Sequence, residues 1–170
     1  SAFPDVDQPF GSLGSFFDDR YNVVVSGCWE CNPPFDIRSI SRALEKMQTS
    51  LAAAEQHRRS LTFIVFFNHT DNPLLLGQLA DLKPFTRGQR LLKEHCYMHG
   101  FHHTEAYNEY WRSERQSLFS LFQTTGGYAE HCHSNPHRVN WIMNQVEHAF
   151  SLNLVDVRSS KKRLYKKKKE

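Results

Sequence analysis

The stretch Leu61-Thr62-Phe63-Ile64-Val65-Phe66-Phe67 restricts most tightly what this 170-residue chain can build. A continuous apolar run of strand length, rich in β-branched and aromatic side chains, is what a parallel strand covered on both faces requires. A parallel strand is reached by a crossover, and the residues upstream supply one. Ile37, Ile40, Leu44, Met47, Leu51 and Ala54 recur at three- and four-residue spacing, which predicts a helix with a core-facing stripe. Asp36 stands where an N-cap belongs, and Arg58, Arg59 and Ser60 close the pattern. Before the helix, Asn22-Val23-Val24-Val25 and Gly27-Cys28-Trp29-Glu30-Cys31 are short β-prone runs broken at Ser26-Gly27. Strand, turn, helix, strand is a βαβ unit and places the chain in the α/β class.

The turn inside that unit is Asn32-Pro33-Pro34-Phe35. Its residue types suit methylation of an exocyclic amine. Adenine N6 is a poor nucleophile because its lone pair is delocalised into the ring, so two hydrogen-bond acceptors are needed to draw the pair out toward a methyl group. The Asn32 side-chain oxygen and the Pro33 carbonyl are such acceptors, the prolines fix the backbone, and Phe35 offers a face on which a base stacks. Catalysis of this kind is placement and electrostatics without a covalent intermediate. The same tetrapeptide pattern also serves guanine amines, glutamine side chains and plain rigid turns. In open α/β sheets ligands lie beyond the carboxyl ends of the strands, where Asn32 to Phe35 and Asn68-His69 both emerge.

Around the turn, Ala2-Phe3-Pro4-Asp5-Val6-Asp7, Phe10-Gly11-Ser12, Gly14, Ser26-Gly27, Glu30 and Asn32 to Phe35 together resemble the catalytic domain of the phosphorylated C-terminal-domain interacting factor family, the cap-specific adenosine N6-methyltransferases. The similarity continues more loosely through Leu61 to Phe66, Phe85, Arg87, Gln89 and Leu92, and thins to a pattern after Gly100. It implies a Rossmann-like methyltransferase core that ends in an antiparallel hairpin. It also implies S-adenosylmethionine as donor, held in part by Asn32, the first transcribed adenosine of a capped RNA as acceptor, Arg87 as an RNA phosphate contact, and a nuclear location.

The donor-binding unit usual in methyltransferases, a glycine-rich loop after a first strand with an acidic residue later for the ribose, is not found here. Gly11-Ser12-Leu13-Gly14 follows no convincing strand. In the resembled family that first strand lies upstream of the Ala-Phe-Pro-Asp segment. The chain is therefore expected to be part of a longer protein, a processed form, or a degenerate relative that no longer binds the donor. In the first two cases an upstream segment or another chain completes the donor pocket. In the third the protein is an RNA-binding scaffold in a ribonucleoprotein, such as a mitochondrial ribosomal particle.

Hydrophobic residues at 39% and aromatics at 13% suffice for one domain with a sizeable core. No apolar run is long enough to cross a bilayer and the first residues are not a signal peptide, so the expectation is a soluble intracellular protein. The net charge of +3 is unevenly spread, because Lys161, Lys162, Arg163, Lys166, Lys167, Lys168 and Lys169 leave the first 160 residues at about −3. Residues 1–158 are thus expected to form the partial methyltransferase-like domain and residues 159–170 a basic tail. The tail suits RNA phosphates through counterion release, a nuclear localisation signal, or simple solubilisation. Cys28 and Cys31 form a C-x-x-C, which raises zinc and redox chemistry, but on a strand their side chains alternate to opposite faces. Of the ten histidines, His95, His99, His102, His103, His131, His133 and His137 make a metal site around Cys96 or Cys132 conceivable, but without a second pair of spaced ligands they are taken as surface and loop residues.

Farther along, Phe3, Phe10, Phe16 and Phe17 are expected to tuck into the core. Leu74 to Leu82 suggests a short helix, and Ser117 to Gln123 a strand that forms the hairpin with Leu91 to Met98. Tyr107, Tyr110, Trp111, Glu114 and Leu118 fit a helical face as well. Ser134 or Asn135, before Pro136, caps a helix carrying Val139, Ile142, Met143, Val146 and Phe150, and Leu152 to Val157 suggests a closing strand.

Overall fold

The computed structural model describes residues 16–17, 24–34, 36–92, 95–98, 110–113, 116–132, 135 and 137–149. Strand β1 (Gly27–Cys31) leads through the proline turn into helix α1 (Ile37–Gln56), and β2 (Leu61–Asn68) returns beside β1. Helix α2 (Pro73–Asp81) and a 3-10 turn (Lys83–Phe85) connect to β3 (Thr86–Leu92). A separate two-stranded ribbon, β4 (His95–Met98) with β5 (Tyr110–Ser113), precedes β6 (Ser117–Gln123). Helix α3 (Thr125–Cys132) and helix α4 (residues 138–149) follow.

The main sheet has the order β1-β2-β6-β3. β1 and β2 are parallel, with Cys28 opposite Thr62 and Cys31 opposite Val65, whereas β6 runs antiparallel to both of its neighbours. Period-2 alternation sorts β2 into two faces. Leu61, Phe63, Val65 and Phe67, all fully buried, join Leu44, Met47 and Leu51 of α1 and Leu75 of α2 in the larger core. Ile64 and Phe66 turn the other way, toward Phe119, Leu121 and Met143, with Val139, Ile142 and Val146 of α4 packed on top. The result is a mixed α/β architecture with a four-stranded sheet between helices.

Side-chain hydrogen bonds lock the layers. Gln78 on α2 donates through Nε2 to Ser41 Oγ at 2.9 Å and to Glu45 Oε1 at 3.1 Å on α1. Thr124, fully buried, accepts from the Leu61 amide at 3.0 Å, donates to the Arg59 carbonyl at 2.9 Å, and accepts from the Gly127 amide in the first turn of α3. Phe16 stacks edge-on against Phe63 with ring centroids 6.4 Å apart, and Phe17 also packs against the larger core, as expected of them.

Several expectations change. Ile37, the first residue of α1, is 49% exposed rather than part of the buried stripe, which starts at Ile40. The partner of β6 in the antiparallel hairpin is Thr86–Leu92, and His95–Met98 pairs instead with β5. Tyr110 and Trp111 are in a strand, not on a helical face, and Leu118 lies in β6. Asn135 Oδ1 accepts from the His137 amide at 2.9 Å just ahead of α4, while Ser134, the other expected cap, lies outside the described residues. Phe3, Phe10, Phe150, Gly11 to Gly14 and Leu152 to Val157 lie outside the described residues.

Candidate functional site

The turn after β1 is built from both ends. Cys31 is half-buried against the larger core, Pro33 is buried, and Asn32 and Pro34 are exposed. On the far side Asp36 accepts from the Ser39 amide at 2.9 Å and its carbonyl accepts from Ile40, which starts α1. Those bonds from Ser39 hold the Asp36 carboxyl below the usual carboxylate range. Buried Pro33 anchors the turn between these two fixed points, and Asn32 is thereby held outward. Neither proline has an N–H to spend on a preceding carbonyl. Among the described residues the Asn32 amide has no hydrogen-bond partner, so its Oδ1 is available to accept from a ligand. Phe35, the expected stacking partner, lies outside the described residues.

Arg87 sits elsewhere. It occupies the irregularity between Thr86 and Gly88 where β3 shifts register against β6. Among the described residues β1 and β3 are the two edges of the sheet, three strand spacings or roughly 14 Å apart, so Arg87 and Asn32 do not meet in one site. Its guanidinium carbon lies 5.4 Å from the centre of the Tyr128 ring, and its Nε is buried without a hydrogen-bond partner among the described residues. Lys161, Lys162, Arg163 and Lys166 to Lys169 lie outside the described residues.

The C-x-x-C pair behaves as strand alternation requires. Cys28 aligns with Thr62 and Cys31 with Val65, so their side chains leave opposite faces of β1. Burial, together with the negative charge of Glu30, pushes the Cys31 thiol up to about 11, which keeps it protonated at neutral pH. Among the described residues no group of three or more His, Cys, Asp or Glu side chains converges as a metal site.

One feature escaped the sequence. A cavity of about 410 Å³ opens between α2 and the sheet, floored by Leu79 and Leu118 over buried Phe67 and edged by His69, Lys83 and Gln89. His69 follows β2 directly, so the cavity shares the carboxyl edge of the parallel pair with the Asn32 turn. Its wall joins residues from β2, α2, β3 and β6, and no local pattern announces such a meeting.

Residues 1–103 fit the family model described as the phosphorylated CTD interacting factor 1 WW domain. No curated protein matches the chain. A WW domain docks proline-rich segments in an aromatic-lined groove, whereas the described part of the matched residues builds a parallel strand-helix-strand unit followed by a second helix. The match therefore assigns a family and leaves the role of these residues to their geometry.

Proposed function

The chain belongs to the phosphorylated CTD interacting factor 1 family, and from that premise we propose that it is the acceptor-binding part of an S-adenosylmethionine-dependent methyltransferase acting on adenosine N6 in RNA, at a cap-adjacent position. The observation that carries the proposal is the exposed, unpartnered Asn32 amide on a turn fixed by buried Pro33 and capped Asp36, at the carboxyl edge of a parallel strand pair. Ligands of open α/β sheets are bound at that edge. The antiparallel β6 inserted between β2 and β3 agrees with the hairpin in which methyltransferase sheets commonly end.

In this reading Asn32 Oδ1 and the Pro33 carbonyl accept the two N6 hydrogens, which directs the nitrogen lone pair out of the ring. The donor supplies an electrophilic methyl group. That group would pass from the donor's sulfur to the nitrogen held by Asn32 and Pro33, and the extra N6 proton would leave to solvent. Phe35 stacks on the adenine, Pro34 stiffens the turn, and Arg87 and the lysine tail hold phosphates.

The described residues fit the amine but not the whole donor. The two strand-to-helix turns on this edge are Asn32 to Phe35 and His69 to Asn72, and neither is the glycine-rich loop that cradles a nucleoside. β1 is an edge strand among the described residues and leaves Cys28, Trp29 and Glu30 exposed. A parallel strand so uncovered is unusual, and an upstream segment or another chain adding there would complete the donor pocket.

The test is methyl transfer to an adenosine-containing capped RNA by the chain together with the segment or subunit that completes the donor pocket, with S-adenosylmethionine binding followed by calorimetry. Asn32→Ala is expected to reduce transfer at least a hundredfold with an unchanged unfolding midpoint. Near-normal turnover in that variant would remove the mechanism. The lack of a glycine-rich donor loop among the described residues, with the basic tail, favours a second reading, a non-catalytic RNA-binding scaffold, which predicts RNA binding without donor binding.

A further inference from the structure

We propose that the cavity between α2 and the sheet is a nucleotide subsite, taking a planar base on its apolar floor and a phosphate at Lys83. Half-buried Leu118 and Leu79 supply the apolar bottom of the cavity, with Phe67, the cross-strand partner of Leu118, fully buried beneath them. Leu76 stands at its wall 47% exposed, an apolar side chain held at the opening instead of in the core. A volume of about 410 Å³ is within the usual range for a small-ligand site.

The polar groups decide what kind of flat ligand fits. No carboxylate lines the cavity, and the Lys83 ammonium has no ion-pair partner among the described residues. Gln89 donates through Nε2 to Ser120 Oγ at 3.0 Å, which orients its amide and leaves Oε1 as an acceptor. An aromatic body with an N–H edge and an attached anion satisfies all three features, and a nucleotide is that combination.

Position adds to the argument. His69 and Thr70 bring the cavity to the end of β2, one strand over from the Asn32 turn, a spacing of roughly 5 Å. An RNA with one nucleoside at Asn32 would lead an adjoining nucleotide toward it. The source of the nucleotide as RNA rests on the proposed function; the subsite itself does not.

The probe is guanosine 5′-monophosphate, which presents N–H donors to Gln89; its N2 amine is the group the Asn32 turn could take instead, and Asn32→Ala separates the two sites. It is titrated calorimetrically into the full chain, with guanosine and inorganic phosphate as separate titrants. Saturable one-to-one binding is expected, at least tenfold weaker in Ala80→Trp, which fills the cavity from an exposed helix position, and in Lys83→Glu. Asn32→Ala should bind as the wild type does, and guanosine or phosphate alone at least fivefold more weakly. Absence of saturable binding, insensitivity to both cavity variants, or phosphate binding as strongly as the nucleotide would overturn the proposal. Nucleotide binding that follows this pattern in a protein that transfers no methyl group even with the segment or subunit completing its donor pocket present would refute the enzyme and keep the subsite. Transfer that depends on Asn32 while nucleotide binding ignores Ala80→Trp and Lys83→Glu would do the reverse.

Discussion

Asn32 and Cys31 are adjacent in the chain and opposite in environment: one amide faces solvent without a partner, and one thiol is packed against the core beside Glu30. That contrast separates placement from reactivity. Thiolate is the nucleophilic form of cysteine, and Cys31 reaches it only near its pKa of about 11. Iodoacetamide at pH 8 is therefore expected to modify exposed Cys28 well before Cys31, as peptide mapping by mass spectrometry will show; faster modification of Cys31 would contradict the burial of its thiol. The same shift has a sign for stability. A thiol whose pKa is raised on folding contributes its full share of stability below the unfolded value of about 8.5 and loses it as pH rises through the folded value. Urea midpoints should fall between about pH 8.5 and 11, and Cys31→Ala should lessen the fall. Cys28 and Cys132, also raised by burial, titrate in the same sense.

At the scale of elements, capping and close approach set the sharpest tests. Asp36→Ala removes the N-cap of α1 and should cost about 1 kcal/mol, read as a lower unfolding midpoint. Two glycines make an opposed pair. Gly77 lies within α2 with nothing within 4 Å of an added Cβ, so Gly77→Ala should stabilise the protein by roughly 0.5–1 kcal/mol. At Gly127 an added Cβ would stand 2.6 Å from the Leu61 carbonyl oxygen, and Gly127→Ala should cost about 1–3 kcal/mol. Equal effects from the two substitutions would mean that α3 does not press on β2 as described. These elements also show what a sequence discloses. β2, α1, α2, β6 and α4 were legible because their apolar periods, lengths and caps are local: Asp36 caps α1, and Asn135 accepts from the His137 amide just ahead of α4, as their positions suggested. Helix α3 was not. Thr125–Cys132 carries two glycines and no apolar stripe, and it is held by Thr124, whose partner Leu61 lies 63 residues away.

Across the whole molecule, the sheet separates the groups that the sequence proposed to join. The Asn32 turn was legible as a turn because its two prolines and the Asp36 cap are local. The cavity was not, since it exists only where α2 crosses β2, β6 and β3. Arg87 carried a local signal, its charge, but not the topology that sends β3 to the edge opposite β1. RNA held at Asn32, at Arg87 and by the tail would thus be gripped at distant points, so its affinity should divide into a positional part and an ionic part. The seven cations Lys161, Lys162, Arg163 and Lys166 to Lys169 can each release a counterion. Full engagement of a single strand would give log K against log salt a slope of about −5, at roughly −0.7 per neutralised phosphate. Deleting residues 161–170 should flatten the slope measured by fluorescence anisotropy, while Asn32→Ala leaves it unchanged. In the enzyme reading the truncated chain, with its donor pocket completed, keeps methyl transfer at saturating RNA and loses only affinity. In the scaffold reading it loses RNA altogether and never had transfer to lose. A slope near zero in the intact chain would show that the tail does not engage RNA phosphates, and the binding energy would then have to come from the folded domain.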